Sequence, residues 1–516
     1  MKRFIQRFSE KIIGVLSGFD RLVFRGTIRA ISLHSGMREF AYRNGVLLKD
    51  FGAYGQEVTQ RIRQASHEIA DRQKRPFIYV ASSQTNKEEI ALRVLKEQPV
   101  EKGLICILSC VEPCTSFQVV RYAETKKIQL RGRNRMCLHI YHYLIHPVFG
   151  FMNVRLSTWF PLSIQMCING REWLARQMDQ AHIEYRRLDN CFSWIGDLEK
   201  AQALMSTQLQ TNWPSVLDPI VKVVNPLHTE IFKKIPLDYY WSTPQSEWAT
   251  DVMFKTRSDL AAIYSAILPH ALTSFSSPDV MRFLGRKLHG NFQGEVMTDY
   301  KERVEGTRIK HRAGSNSVKI YDKFQIVLRV ETTINHPRDF RVFRPVEKDP
   351  ERKLAWQALR QGIADLHRRA KISQASNERY LDALAEIDSS VPLGQLLEQI
   401  SSPVGQNGKR FRALRPSDPQ DLALFKAVTD GRFTINGFRN RDIQQFLFPT
   451  AATSEKEKRR RSAKVTRLIR LLRAHHLVRR VPHTYRYLLT AKGIETLTAI
   501  LSMRTVSLDA LKRVAA

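Results

Sequence analysis

Acidic residues are scarce in this chain: 50 Asp and Glu stand against 82 Lys and Arg in 516 residues, a formal net charge of +32. Such a deficit disfavours cationic partners and points to a polyanion, of which nucleic acid is the commonest. Cysteine is also sparse. The six cysteines (Cys106, Cys110, Cys114, Cys137, Cys167 and Cys191) form no CxxC pair, so a disulfide framework and a zinc ribbon are both disfavoured, and free thiols fit a reducing compartment. No run approaches the roughly 18 consecutive apolar residues that a membrane span needs. The basic opening segment is interrupted by Gln6, Ser9, Glu10 and Lys11, which favours an amphipathic helix over a signal peptide. Walker A, Rossmann and kinase signatures are missing, which argues against nucleotide-driven chemistry. The expectation is a cytoplasmic, nucleoid-associated protein with DNA ahead of RNA as partner, no membrane, and self-association into a homo-oligomer left open.

What is present suffices for real cores: 43% of residues are hydrophobic and 9% aromatic. Residues 1–225 alternate helical patterns (57–73, 86–98, 171–181) with strand patterns at Phe77 to Val80 and Leu104 to Ser109, where Pro113 is expected to end the strand. Cys137 to Leu144 and Phe151 to Trp159 read as a hairpin. A second region, 226–345, holds helices near 258–267 and 278–288 and a hairpin over 317–334. Residues 346–400 read as charged helix, and a Pro/Gly/Ser/Arg-rich stretch over 401–419 reads as a linker. The fold class expected is α/β (α+β), multidomain, with a mixed but antiparallel-rich sheet body.

Residues 420–505 carry an ordered series of signals. Helices are expected at 422–429 and 440–447, and a strand at 433–435 with a turn at Asn436-Gly437. A long helix spans about 454–476, strands follow at 478–481 and 485–489, and a last helix opens at Thr490. Val465, Leu468, Ile469 and Leu472 make one apolar stripe on the long helix. Arg460, Lys464, Arg467 and Arg470 lie away from it, with Arg473 at its edge, and Arg479, Arg480, His483, Arg486 and Tyr487 mark the two strands. Three helices followed by a two-stranded wing resembles the winged helix-turn-helix superfamily, which implies a recognition helix that presents Arg and Lys to DNA. A solvated basic helix is the alternative.

The segment Gly314-Ser-Asn-Ser-Val-Lys-Ile-Tyr-Asp-Lys, followed by Leu328-Arg-Val-Glu-Thr-Thr, resembles a strand pair of rolling-circle replication initiators and filamentous-phage replication nickases. Gly18-Phe-Asp-Arg-Leu-Val-Phe-Arg resembles their early acidic strand. The likeness implies a strand-cutting or strand-joining enzyme in which Asp20 and Glu331 bind Mg²⁺ or Mn²⁺ and Tyr321 or Tyr300 is the nucleophile. Lys319 and Lys323, which share one face of the first strand, are candidate nucleic-acid contacts. The sequence departs from those families at His311-Arg312, where a tyrosine is expected, and lacks a His-hydrophobic-His pair. Bland readings stand beside these: Glu331 pairs with Lys319 or Lys323 across the hairpin, and Asp20 pairs with Arg21 or Arg25. Cys137, His139, His142 and His146 do not share one strand face, which disfavours zinc. Glu172, Glu184 and Asp189 are further acids that spacing alone does not select. The competing function is a non-catalytic DNA- or RNA-binding regulator or ribonucleoprotein scaffold. The two diverge on whether Asp20 and Glu331 converge or lie more than about 10 Å apart.

Overall fold

The structure is a computed structural model that describes residues 1–122, 124, 127–286, 296–346, 353–386, 393–406, 408–430, 433, 437–450, 452–482, 484–490, 492–493, 496–497 and 500–501. In chain order the first elements are α1 (Lys2–Arg7), β1 (Ile12–Thr27), α2 (His34–Arg43), α3 (Phe51–Arg72), β2 (Phe77–Tyr79), α4 (Lys87–Glu97), β3 (Gly103–Arg121), β4 (Ile128–His146), β5 (Gly150–Ser157) and β6 (Ile164–Asn169). Next come α5 (Gly170–Gln180), β7 (Tyr185–Leu188), β8 (Cys191–Ile195), α6 (Leu198–Ser206), α7 (Trp213–Val224), α8 (His228–Ile231), β9 (Tyr240–Phe254), α9 (Arg257–Thr273) and α10 (Ser277–Phe283). They are followed by β10 (Val296–Arg303), β11 (Gly306–Ala313), β12 (Asn316–Lys323), β13 (Val327–Ile334), β14 (Arg341–Pro345), β15 (Leu354–Ala358) and α11 (Leu366–Leu384). The last are α12 (Leu393–Ile400), β16 (Val404–Gln406), β17 (Lys409–Phe411), α13 (Pro419–Val428), α14 (Asn440–Leu447), α15 (Glu455–Ala474), β18 (Val478–Arg480) and β19 (Tyr487–Leu489).

The chain divides into two compact units, one of residues 1–264, 283–286 and 296–382, the other of 265–282 and the described residues from 383 onward. The first is organised by an eleven-stranded sheet, ordered β10-β11-β12-β13-β9-β1-β6-β5-β4-β3-β2, antiparallel throughout except for the β2–β3 pair. Residues 1–225 and 226–345, separate regions by sequence, therefore contribute strands to one sheet, because β9 lies between β1 and β13.

Cross-strand partners share a face, so the register assigns each face its cover. On one face Phe24, Met166, Val154 and Ile140 enter a core with Phe40 of α2 and with Phe51 and Ile62 of α3. Further along β9 and β13 that same side meets α11. There the Asn377 amide donates to the Trp248 and Val330 carbonyls at 3.1 and 3.0 Å, and the Trp248 indole donates to Gln374 Oε1 at 2.7 Å. The opposite face is covered by α5 and α6 over the start of β1. Gly14 and Gly18 are required there, since a Cβ at either would run into Leu198 or Met205. At the far edge α4 packs Ala91 and Val94 onto Cys106, Leu108 and Tyr143.

Several expectations change. The opening helix ends at Arg7 and β1 begins at Ile12, because β-branched Ile12, Ile13 and Val15 fit a pleated surface. Pro113 does not end its strand: β3 continues to Arg121 with Pro113 opposite Met136. β2 reaches only to Ser109, so Pro113 lies on an edge, where a missing N–H costs little. Residues 354–358 are not helical but pair with 341–345. The 401–419 stretch is built in, with the β16–β17 hairpin, a fully buried Leu414, and Arg412 paired to Asp421 at 2.6 Å.

In the second unit α13, α14 and α15 are followed by an antiparallel β18–β19 pair, and Tyr487 also bridges to Phe438. Val465, Ile469 and Leu472 are buried with Phe425, Ile443 and Leu477, and Leu468 packs against them. The expected strand beyond Phe433, the Asn436 turn position, His483 and most of the helix from Thr490 lie outside the described residues. No helix among the described residues is long and apolar enough to cross a membrane.

Candidate metal centre and nucleic-acid interface

β1 pairs with β9 with Phe19 opposite Trp248 and Arg21 opposite Glu247, so Asp20 is an extra residue in a bulge. Bulges re-aim side chains and recur beside active sites. Here the bulge turns the Asp20 carboxylate onto the face that already carries Glu247. On β13, Glu331 lies opposite Ala249 and Thr333 opposite Glu247, so Glu331 is the diagonal neighbour of Glu247 on that face. Asp20, Glu247 and Glu331 each bring one carboxylate oxygen to within 4.8 Å of the others. Oxygens sharing a Mg²⁺ ion are about 3 Å apart when adjacent and about 4 Å when opposite, so an ion bound here would draw the three carboxylates closer together. Asp20 and Glu331, the two acids expected from sequence, do converge.

A buried set of cations and amides holds the acids. Lys319 Nζ lies 2.6 Å from Glu331 Oε1 and 3.9 Å from Glu247 Oε2. The Tyr321 hydroxyl donates to Glu331 Oε2 at 2.9 Å. Arg329 donates to Asp20 at 3.1 Å, to Asp251 at 2.5 and 2.8 Å, and to the Asn190 carbonyl at 2.6 Å. The Asn190 amide in turn donates to both Asp20 oxygens, at 3.0 and 3.1 Å. Arg171, at the start of α5, donates to Asp251 at 3.0 Å and to the Ala249 carbonyl at 3.3 Å. These groups are almost wholly out of water, so each charge depends on its partners.

The electrostatics separate the three carboxyls. Burial alone would raise Glu331, yet the Lys319 ammonium and Arg329 hold it down at about 2. Glu247 is pushed up to about 7, by burial first and then by the charge of Glu331. Lys319 and Arg21 act against that rise at Glu247, and Lys319 with Arg329 against it at Glu331, so the raised Glu247 marks the acid that these cations do not hold ionised.

Glu247 was not singled out by sequence, and neither was Arg21 as a functional group. Arg21 is exposed by surface area and lies opposite Glu247 in the register; no carboxylate among the described residues is within ion-pair distance, but burial of its surroundings and the charges of Cys167, Glu247, Glu88 and Asp20 all act on its guanidinium. From it the open part of this sheet face runs along β1 to exposed Arg25 and across to half-buried Gln165, Asn153 and Arg155. The acids therefore lie where the cover of α5 and α6 ends and an open polar surface begins.

The other expected residues fall out as follows. Tyr321 is at the centre, but burial and Glu331 push its phenol well above the ordinary range, which suits a donor that holds Glu331 more than a nucleophile. Tyr300 is not brought to the cluster. It pairs with Ile309, which pairs with Ile320 and then Val330, so it belongs to the opposite face, and its hydroxyl bonds Glu302 at 2.9 Å. Lys323 is buried on the same face as Lys319, nearer Asp251. His139 and His142 sit on opposite faces, His139 bonded to the Cys137 carbonyl and His142 pushed down to about 4 by burial. Glu172 pairs with Arg187 at 2.6 Å and Arg176 at 3.4 Å. Among the described residues, Asp20, Glu247 and Glu331 are the one set with metal-ligand spacing.

In the second unit the basic side of α15 is open. Arg460, Lys464, Arg467, Arg470 and Arg473 are exposed, as are Arg479 and Arg480 on β18. Arg480 bonds the Thr484 carbonyl at 3.0 Å and stacks near Tyr485, while Arg486 is half-buried and donates to the Gly437 carbonyl at 3.3 Å. Comparison with known protein families, characterised proteins and solved structures finds no match to this chain.

Proposed function

We propose that this is a nucleic-acid-binding protein that cuts or joins DNA strands with Mg²⁺ or Mn²⁺ held by Asp20, Glu247 and Glu331. The observation that carries the reading is the convergence of three carboxylates from three adjacent strands at a bulge, in a chain of charge +32. When bound there, the ion would polarise a scissile phosphate and neutralise charge developing on it. The chain's own groups supply the remainder. Arg21, whose guanidinium feels the charge of Glu247 and Asp20, would meet a phosphate beside the acids. Lys319 keeps Glu331 ionised, Arg329 and Asn190 fix the direction of Asp20, and Tyr321 orients Glu331. Glu247, near neutral pH, is the acid whose proton leaves when a cation arrives.

In the second unit, the order of α13, α14, α15, β18 and β19 and the exposed cations on α15 support a winged helix whose long helix reads duplex DNA through Arg460, Lys464, Arg467 and Arg470. The competing reading, a non-catalytic regulator or scaffold, is favoured by the ion pairs that already engage Glu331 and Asp20. The test is incubation of labelled single- and double-stranded DNA from the gene's own neighbourhood with the protein, with and without Mn²⁺, on a denaturing gel. A discrete metal-dependent cut that Glu247→Gln and Asp20→Asn both abolish is expected. Salt-sensitive binding without cleavage would favour the scaffold.

A further inference from the structure

The β14–β15 hairpin stands apart from the large sheet as a two-stranded pair. Its register sets Phe343 opposite Trp356 and Pro345 opposite Leu354, with Arg341 opposite Ala358 at one end. The inward side chains, Val342 and Arg344, are buried. The outward face is apolar and open: Phe343, Leu354 and Trp356 are 54%, 58% and 66% exposed, and the two aromatic rings lie 5.7 Å apart. A cross-strand aromatic pair on an outward face forfeits burial worth keeping, so such a patch ordinarily serves a partner.

Charge decides which partner. Arg341 on the same face and Arg338 just before the strand are exposed, and among the described residues neither guanidinium has an ion pair. Rings beside Arg341 and Arg338 on a chain of charge +32 match a ligand that is anionic along its backbone and offers flat π-faces. Single-stranded nucleic acid has both properties, whereas a paired duplex hides its base faces. Position agrees. The base of the hairpin is tied to β9, where Thr243 donates to the Gln361 carbonyl at 2.7 Å and Ser242 bridges to Gly362. Ser242 also lies opposite Arg25 of β1, the residue at the end of the open strip that starts at Arg21.

We infer that the Phe343–Trp356 face is a base-stacking site for single-stranded DNA. The inference rests on the nucleic-acid reading of the chain and is independent of the acidic site.

The experiment measures anisotropy of a labelled oligothymidylate about 15 nucleotides long. It is done with full-length protein in EDTA and about 0.2 M salt, so that metal is excluded and unspecific phosphate binding is weakened. Trp356→Ala is expected to weaken binding roughly tenfold and Phe343→Ala with Trp356→Ala roughly a hundredfold, as loss of stacked bases does. Trp356→Phe should recover most of the loss, and Trp356→Leu, which keeps the apolar surface without the π-face, should not. Both side chains are exposed, so unchanged thermal unfolding is the folding control. Affinity within twofold of the wild type in the double variant would overturn the inference. So would full recovery by leucine, a tenfold preference for oligouridylate, or a concentration-dependent dimer that the double variant dissociates. Cleavage results bear only on the acidic site, and Arg467→Ala bears only on duplex binding, so neither failure is mistaken for this one.

Discussion

Glu247→Gln separates the cost of the acidic cluster from its use. Glu247 is raised from 4.5 to about 7, and each tenfold change in protonation corresponds to about 1.4 kcal/mol. Keeping it ionised in the folded protein therefore costs on the order of 3 kcal/mol once the pH is well above 7. A group whose folded value is raised in this direction contributes no penalty below about 4.5, where it is protonated in both states. The penalty grows through the interval and is complete above about 7. Without metal, Glu247→Gln should be about 1–3 kcal/mol more stable than wild type at pH 8 and indistinguishable at pH 4.5, by urea unfolding. With Mn²⁺ at a hundred times its dissociation constant the wild type should gain about 2.7 kcal/mol at pH 8, and the variant much less. The wild-type affinity for Mn²⁺ should fall about tenfold for each pH unit below 7, as one proton must leave. A variant less stable than wild type at pH 8 without metal would show that Glu247 is not strained by its neighbours, and one that Mn²⁺ stabilises equally would show that it is not a ligand.

Lys319→Met removes the ammonium 2.6 Å from Glu331 and should cost about 3–5 kcal/mol at pH 7 by leaving a buried charge uncompensated; adding Glu331→Gln should restore most of it in the same unfolding assay. Because Glu331 is held at about 2, below its ordinary 4.5, its stabilising contribution should be complete above pH 4.5 and decline as pH falls towards 2, which acid titration of the wild type against Glu331→Gln will show. Gly170→Ala would drive a Cβ into the Phe19 carbonyl beside the bulge; a loss of about 2 kcal/mol or more and weakened Mn²⁺ binding are expected, and undiminished metal affinity would detach α5 from the site. Arg467→Ala and Arg470→Ala should each reduce the slope of log affinity against log salt for duplex DNA by about one; an unchanged slope would remove them from the interface.

Local pattern made part of this legible. The β-rich patterns of 317–323 and 327–334 marked both strands and a pairing of Glu331 with Lys319 or Lys323, of which the Lys319 pair is seen at 2.6 Å. Asn440 to Leu447 and the stripe of Val465, Ile469 and Leu472 were equally readable, because helix periodicity is a short-range signal. Glu247 was not readable. Its strand, Tyr240–Phe254, contains Pro244 and alternates Glu247, Ala249 and Asp251 with Trp248, Thr250 and Val252, a face of charges that makes sense only once Arg171, Arg329 and Lys319 lie against it. Those partners are dozens of residues away, and a buried Arg looks the same in sequence as a solvated one. The bulge at Asp20 is likewise a property of pairing with β9. Residues 354–358, good helix formers in isolation, became a strand through their partner 341–345, a tertiary override of propensity.

Whether the three acids form a cation site is decided by anomalous diffraction from crystals grown at pH 8 with Mn²⁺. A manganese peak is expected within about 2.0–2.3 Å of one oxygen each from Asp20, Glu247 and Glu331, absent from Glu247→Gln crystals under the same conditions. Crystals with manganese elsewhere or nowhere, in which Lys319 still spans Glu331 and Glu247, would contradict it and leave the cluster as a structural ion network.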